Sequence, residues 1–547
     1  MNDGYHYRKR SRTRGKSIGP LEGPDRGRTR HASGSSNNLL GGRRSRRIPV
    51  GAYVAAVLIL VVTVSGFAFA YSRPVPVTVV AQPAGCTIEI LGMTEGGDSL
   101  EFDDLSPGLY TAEITHRGFA TLTQAFTVKR FKDNDFAFEL EPELQYLGVT
   151  APADATCVVR ADGETLAQGA GSITATLPAG FIEFEVTQAG FNTYTRELML
   201  DRDTNIEIKL DPEGQLVHIL HIMEAAGAPK GAQFTPDGTQ IWTTILNGPP
   251  AVLVYDVATG ELIREIDIGS DGAVEVAFSQ DGSLAYVTQM ETASVFEIDT
   301  ETFETLRTMS TNSAWSKVVA LSPGGETLYV SNWSGDDISE IDVASGEVTR
   351  RFRTGNTPRG IYPTPDGLSL YVATFDGGEL QRIDLESGDV ETLYDSKGAL
   401  RHIVGDAERG VLYISDMRND VVLIHDMATG ETSEFVATDE KPNTIVLSPD
   451  GRILYVSCRG ENNADSYYLP GPEWGTILMY DTADGTPLDA IVGGNQCTAL
   501  AVSADGSLMV YSDFLDDRLS LYEIPDMETL LAGNGGRWDQ HLDDLAK

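Results

Sequence analysis

The chain has 547 residues, 41% of them hydrophobic, and a formal net charge of −39; it is too long for one ordinary domain. Its 56 glycines suit an architecture of many short strands and tight turns. Residues 1–47 hold thirteen Lys/Arg against three Asp/Glu, which leaves 28 basic against 77 acidic residues beyond them, and so acidic a body excludes general nucleic-acid binding, which needs a basic footprint.

Residues 1–47 are rich in Arg, Gly and Ser and lack apolar periodicity. They read as a disordered basic tail. Either it is a solvated leader that sets topology, or it touches anionic lipid or nucleic acid on the cytoplasmic side. Residues 48–71 carry no charge and supply the roughly 20 apolar residues a membrane span needs. Arg43, Arg44, Arg46 and Arg47 abut this run, so the positive-inside rule keeps the tail cytoplasmic and sends the rest across. Ala68-Phe69-Ala70 offers a rival reading, a signal peptide cleaved after Ala70. The run exceeds the usual signal core of about 7–15 residues, which favours an uncleaved signal anchor. Both readings place the acidic bulk in the periplasm or another extracytoplasmic space; the anchor reading makes the chain a single-pass protein of the inner membrane.

After a stiff linker, Ser72-Arg73-Pro74-Val75-Pro76-Val77, two similar modules are expected at 75–142 and 143–212. The first carries Leu105-Ser106-Pro107-Gly108-Leu109-Tyr110 and Arg117-Gly118-Phe119. The second carries Leu177-Pro178-Ala179-Gly180-Phe181 and Ala189-Gly190-Phe191. Period-two alternation in Phe181-Ile182-Glu183-Phe184-Glu185-Val186-Thr187 predicts half-buried strands, so each module is a small β-sandwich. These elements resemble the PEGA family of extracytoplasmic β modules. The resemblance implies spacers that present the C-terminal repeats, rather than catalysts. Cys86 and Cys157 fall at matching points and read as buried small hydrophobes, with a bond between the modules as the alternative.

Residues 213–526 repeat with a period of about 43 residues. The turn Leu447-Ser448-Pro449-Asp450-Gly451 has relatives at Thr235-Pro236-Asp237-Gly238, Ser279-Gln280-Asp281-Gly282, Ser322-Pro323-Gly324-Gly325, Thr364-Pro365-Asp366-Gly367 and Ser503-Ala504-Asp505-Gly506, with a worn copy at Asp406–Gly410. Pro sets φ at the first turn position and Gly accepts the positive φ after it. A second turn, as in Asp342-Val343-Ala344-Ser345-Gly346, comes about fifteen residues later in most copies. Two hairpins make a four-stranded blade, and seven copies make seven blades. The last copy lacks an outer strand, which Gln215–Ile222 should supply to close the ring. Leu328-Tyr329-Val330-Ser331-Asn332 and Leu370-Tyr371-Val372-Ala373-Thr374 make the repeat similar to the YVTN family of bacterial seven-bladed β-propellers. Residues 527–547 form a polar C-terminal tail in which Trp538 and Leu542 are spaced as on one helical face. The fold class is therefore all-β: two PEGA-like sandwiches and a seven-bladed propeller after one transmembrane helix.

Six residues before each turn Pro, at the start of the innermost strand, stand Lys230, Val274, Lys317, Arg359, Arg401, Asn443 and Thr498. Four of the seven are basic, in an acidic body, and all should surround the mouth of the central channel. The second strand ends at the same rim with Asn332, Asp416, Cys458 and Asp513 among others, and Trp333 comes next after Asn332. An insertion in blade 6, Glu461–Gly475, brings Tyr467, Tyr468 and Trp474 to this rim. Cations beneath aromatic faces suit an anionic ligand. The competing expectation is that the cations pair with Asp416 and Asp513 and only neutralise the mouth. A disulfide between Cys458 and Cys497 would pin the inserted loop in an oxidising compartment.

No Cys-x-x-Cys pair, His-Glu-x-x-His element or Gly-rich phosphate loop occurs, so neither metal nor cofactor is expected. No nucleophile–base constellation is evident, and Asp416, Asp513 and His402 are the titratable candidates at the mouth. The expected function is a non-catalytic, membrane-anchored envelope protein. Its propeller binds an anionic envelope polymer, such as peptidoglycan or an anionic glycan, or a partner protein of the envelope. Two alternatives stand: a hydrolase of the lactonase type acting at the same mouth, by analogy of fold alone, and a structural scaffold that binds protein at its outer edge.

Overall fold

The computed structural model describes Leu60 and residues 74–547, except 91, 92, 97, 98 and 270. The expected basic tail and, Leu60 apart, the expected span at 48–71 lie outside the described residues; among those described, no helix is long and apolar enough to cross a membrane. The chain divides into two units, Met1–Val75 and Pro76–Lys547, and the second holds the sandwiches and the repeats.

Two sandwiches with the same strand order come first. In the first, Val75–Gln82 lies between Ser99–Leu105 and Asp135–Glu139, facing a sheet ordered Met93–Gly96, Thr87–Ile90, Gly108–Thr115, Leu122–Val128. In the second, Leu144–Thr150 lies between Ile173–Pro178 and Thr204–Glu207, facing Glu164–Ala170, Thr156–Ala161, Gly180–Thr187 and Tyr194–Leu200. The alternation seen in the sequence sends Ile182, Phe184 and Val186 into a core with Leu147, Val149, Cys157 and Val159. Both Cys86 and Cys157 are buried thiols inside their own modules, on the carbonyls of Pro83 and Gly171. Gly118, at φ +81°, lets the two modules touch: a Cβ there would come within 2.5 Å of the Asp201 carbonyl oxygen.

The repeats build seven four-stranded sheets. Blades 1 to 6 run Pro229–Ile266, Ala273–Ser310, Ser316–Arg353, Pro358–Asp395, Leu400–Ala437 and Pro442–Val492. Blade 7 takes Cys497–Val502, Leu508–Asp513 and Arg518–Glu523 from the end of the repeats and His218–Glu224 from their beginning as its outer strand. Each innermost strand packs on the next, and Cys497–Val502 packs on Pro229–Phe234, so the ring is closed. The turn chemistry is visible atom by atom. The Ser448 hydroxyl donates to Asp450 Oδ1 at 2.5 Å, which also takes the Arg452 N–H at 3.1 Å; Thr235, Ser279, Thr364 and Ser503 repeat the bracket.

Each blade also carries a β-bulge that begins at the second residue of its innermost strand and, in blades 2, 3, 4, 6 and 7, takes in the third. A bulge leaves one residue out of the ladder and re-aims its side chain. Buried hydroxyls hold it in six of seven blades. Ser331 accepts from the Val318 N–H at 3.1 Å and donates to the Arg359 carbonyl of the next blade at 2.9 Å. Thr244, Thr288, Ser415, Ser457 and Ser512 bridge blades in the same manner; blade 4 has Ala373 instead. Ser331→Ala strands a buried N–H and a carbonyl together, and a loss of about 1–3 kcal/mol is expected in denaturant unfolding.

The C-terminal segment is docked by short helices at Met527–Ala532 and Trp538–His541. Trp538 packs on Tyr480 with ring centroids 5.2 Å apart, whereas Leu542 is exposed, so the two do not share a buried face. His541 is buried and its Nε2 lies 3.0 Å from Asp439 Oδ2. Burial opposes charging His541, but the Asp439 hydrogen bond and charge outweigh it and hold its pKa above the ordinary value. A raised histidine stabilises fully below its unfolded value of about 6.5, and that contribution disappears as pH rises through the folded value. Amide protection of residues 538–541 should therefore be greater at pH 6 than at pH 8, and His541→Gln should remove the difference.

Candidate functional site

The seven bulged positions converge on the channel. Arg359 and Arg401 are buried, Lys230 and Lys317 half-buried, and Asn443 and Thr498 fully enclosed. Burial comes first in lowering the pKa of Lys230, followed by the charges of Arg401, Arg459, Arg359 and Lys317. The four expected cations thus share one opening, and Arg459 joins them. Burial, then Arg359 and Arg401, bring Lys317 down to about 7. Burial takes Arg359 and Arg459 to about 10 and Arg401 well below its usual range. Among the described residues none of the five makes an ion pair within 4.0 Å. Arg359 Nε and Arg459 Nε are buried without an acceptor.

A collar of mostly apolar residues adjoins this ring. The residue after each second strand is Leu246, Met290, Trp333, Phe375, Met417, Arg459 and Phe514 in blade order. Lys230 Nζ lies 4.7 Å over the Phe514 ring. Lys317 Nζ lies 5.7 Å from the ring of Trp333 and 5.4 Å from that of Trp315. Trp333 packs on Phe375 at 5.0 Å. The Tyr467 and Tyr468 rings meet at 4.0 Å, tilted by 35°, each 46% exposed, with Arg459 5.9 Å from the Tyr467 ring.

Several expected residues are engaged elsewhere. Asp416 is enclosed and accepts from the Ala399 N–H at 2.9 Å and Asn419 Nδ2 at 2.8 Å, holding the loop before its own blade. Asp513 is enclosed, accepting from the Gly494 N–H at 2.7 Å and pairing with Arg518 at 2.8 Å. Neither acid neutralises the ring. Asn332 is likewise a bracket, accepting from Ser316 Oγ and donating to Asp337 and Ser339. The last residue of the second strand ties loops in these blades, so it does not line the mouth. Trp474 is covered by the C-terminal segment, with Lys547 Nζ 4.5 Å over its ring and its backbone N–H donating to the Leu545 carbonyl.

The expected disulfide is absent: Cys458 and Cys497 are both buried thiols. Cys458 lies in the apolar layer with Tyr413 and Val422 of blade 5, Cys497 in the layer with Leu500 and Met509 of blade 7. The sheet of blade 6 separates those layers.

Two channel residues, Glu275 and Arg459, escape the sequence reading, whereas His402 is an expected titratable group at the mouth. Glu275 and His402 are the third residues of their innermost strands, brought into the channel's field by the bulge. Burial raises Glu275 to about 7, against the pull of Arg359, Arg401 and Lys230. Burial, then Arg401 and Arg359, lower His402 to about 3, so its imidazole is neutral. Its Nδ1 and Asn443 Oδ1 are buried without partners. No one-residue spacing marks Glu275, since strand alternation alone turns the second and third residues to opposite faces. Arg459 was detectable: it occupies the column of Trp333 and Phe375. A separate acidic group, Glu440, Glu461 and Glu473, brings carboxylate oxygens within 4.8 Å of one another at the inserted loop, where Lys441 pairs with Glu440 at 3.5 Å.

With this geometry in place, likeness to known proteins is informative for the repeats. A family model described as "Lactonase, 7-bladed beta-propeller" matches residues 227–399. The propeller is similar to the lactonase type. The match to this lactonase-type propeller begins just before blade 1 and ends just before the innermost strand of blade 5. Antigen Lp49 of Leptospira interrogans is 40% identical over 126 residues, 23% of this chain, and the match covers 28% of that relative's length. Hydrazine synthase of Kuenenia stuttgartiensis superposes with a TM-score of 0.48 at 18% identity, covering 56% of this chain and 97% of that one.

Proposed function

We propose that this is a non-catalytic envelope protein whose lactonase-type propeller binds an anionic envelope polymer, or an acidic group of a partner protein, at the channel mouth. The observation that carries the reading is five converging cations with no carboxylate within 4.0 Å among the described residues. A buried, unpaired cation is costly, and an anionic ligand removes that cost. The apolar run at 48–71 serves as a signal anchor, and the two PEGA-like sandwiches act as spacers that hold the YVTN-like propeller away from the inner membrane. The test is retention of cell-wall fragments by the full chain in low salt. Arg359→Glu combined with Arg401→Glu should abolish it, and unchanged retention would count against the site.

The family match favours one second reading, a hydrolase acting on lactones at the same mouth. With Asp416 and Asp513 engaged in loop brackets, Glu275 is the acid left to serve as a general base. Turnover on a lactone panel that Glu275→Gln abolishes would favour hydrolysis; a silent panel, with and without divalent metal, would set it aside.

A further inference from the structure

Glu275 has no role in a site built only to attract anions. It shares the channel with Lys230 from blade 1, Lys317 from blade 3, Arg359 from blade 4, Arg401 and His402 from blade 5, and Arg459 from blade 6. Among the described residues it pairs with none of them within 4.0 Å. Its backbone N–H is fixed on the Thr288 hydroxyl at 3.1 Å, so the strand holds its place. Among the described residues the channel holds five basic side chains, Lys317 only part-charged near neutrality, and this one acid, an excess of basic groups that a single carboxylate leaves largely uncompensated.

We propose that the channel takes a compact oxyanion bearing at least two negative charges, and that Glu275 takes up a proton from solvent as that anion enters. This rests on the anion-binding reading above. Arg359 Nε and Arg459 Nε are buried donors in need of acceptors, and a guanidinium offers paired N–H groups to two oxygens of one oxyanion. An ionised Glu275 beside such a ligand is repelled by it. Protonation removes the repulsion and turns the carboxyl from acceptor to donor. Burial already holds Glu275 at about 7, and Lys317 at about 7 moves in the same direction, toward its charged form. Phe514 lies against Lys230 and Trp333 against Lys317, and excluding water strengthens these contacts. The ligand class is a sulfate or phosphate ester, or a polycarboxylate.

The test titrates the full chain with sodium sulfate at low ionic strength, following tryptophan fluorescence between pH 6 and pH 8. Sulfate does not titrate in that range, so any pH dependence belongs to the protein. Affinity should fall by about tenfold per pH unit for each proton taken up. Acetate should bind at least about tenfold more weakly than sulfate at pH 6.5, since one charge replaces two. Glu275→Gln, which keeps a donor at that position, should remove one proton's share of the pH dependence and leave that of Lys317; an unchanged slope would overturn the assignment to Glu275. Calorimetry of the unmodified chain in two buffers of different ionisation enthalpy reads the proton directly if that variant does not fold. A sulfate ester and tricarballylate, compared at pH 6.5, assign the source, and preference for either supports the proposal. Acetate matching sulfate, a pH-independent sulfate affinity, or no proton uptake overturns it. If no anion binds under any condition, the anion-binding reading itself falls.

Discussion

Arg401→Met should stabilise the protein by about 1–3 kcal/mol while weakening anion binding by about ten- to a hundredfold. Arg401 is 6% exposed, in the field of Arg359 and Arg459, with no carboxylate within 4.0 Å among the described residues. Its charge is therefore a cost to folding that Glu275 offsets in part and a ligand further. Methionine retains much of the apolar stem and removes the charge. Thermal melts of the full chain with and without sulfate separate the two effects: the variant should melt higher in the absence of anion and gain less when it is added. A lower melting temperature in the absence of anion would show that Arg401 supports the fold instead, and that the site is not kept at the expense of stability.

Met223→Asp should cost more than about 4 kcal/mol. Met223 lies on the strand that closes the ring, 2% exposed, packed with Leu519 and Leu521 of the strand it joins and with Leu253 of blade 1. A carboxylate there is buried without a partner and loosens the edge that makes the propeller continuous. Ile263→Asp is the control. Ile263 also lies on an outermost strand, but in blade 1 and 47% exposed, and its substitution should stay within about 0.5 kcal/mol. Denaturant unfolding of both variants checks the pair. Equal, small effects would mean that the closing strand contributes little.

The repeat was legible because its turn chemistry is local. A Ser or Thr two residues before Asp, followed by Gly, forms the same bracket wherever it occurs, as at Thr235 and Ser503. Aligning those turns placed Lys230, Lys317, Arg359 and Arg401 in one column, and strand register carried that column to one opening. Register alone misassigned Asn332, Asp416 and Asp513. These polar residues end buried strands, where neighbouring backbone N–H groups and side chains compete for them. Column position shows which rim a residue stands at, but not which neighbour its side chain meets.

What the sequence by itself determined is the periodic frame: where the turns fall, how many sheets there are, which strand closes the ring, and which cations share an end. Each depends on spacing along the chain and on local backbone preference. What only the tertiary structure decided is how the channel is charged. The bulge that brings Glu275 among the cations, the engagement of Asp416 and Asp513 by loops of their own blades, and the separation of Cys458 from Cys497 by the sheet of blade 6 arise from contacts within and between blades. Such contacts join residues tens of positions apart, and which one wins depends on competition among all the groups the closed ring brings within reach.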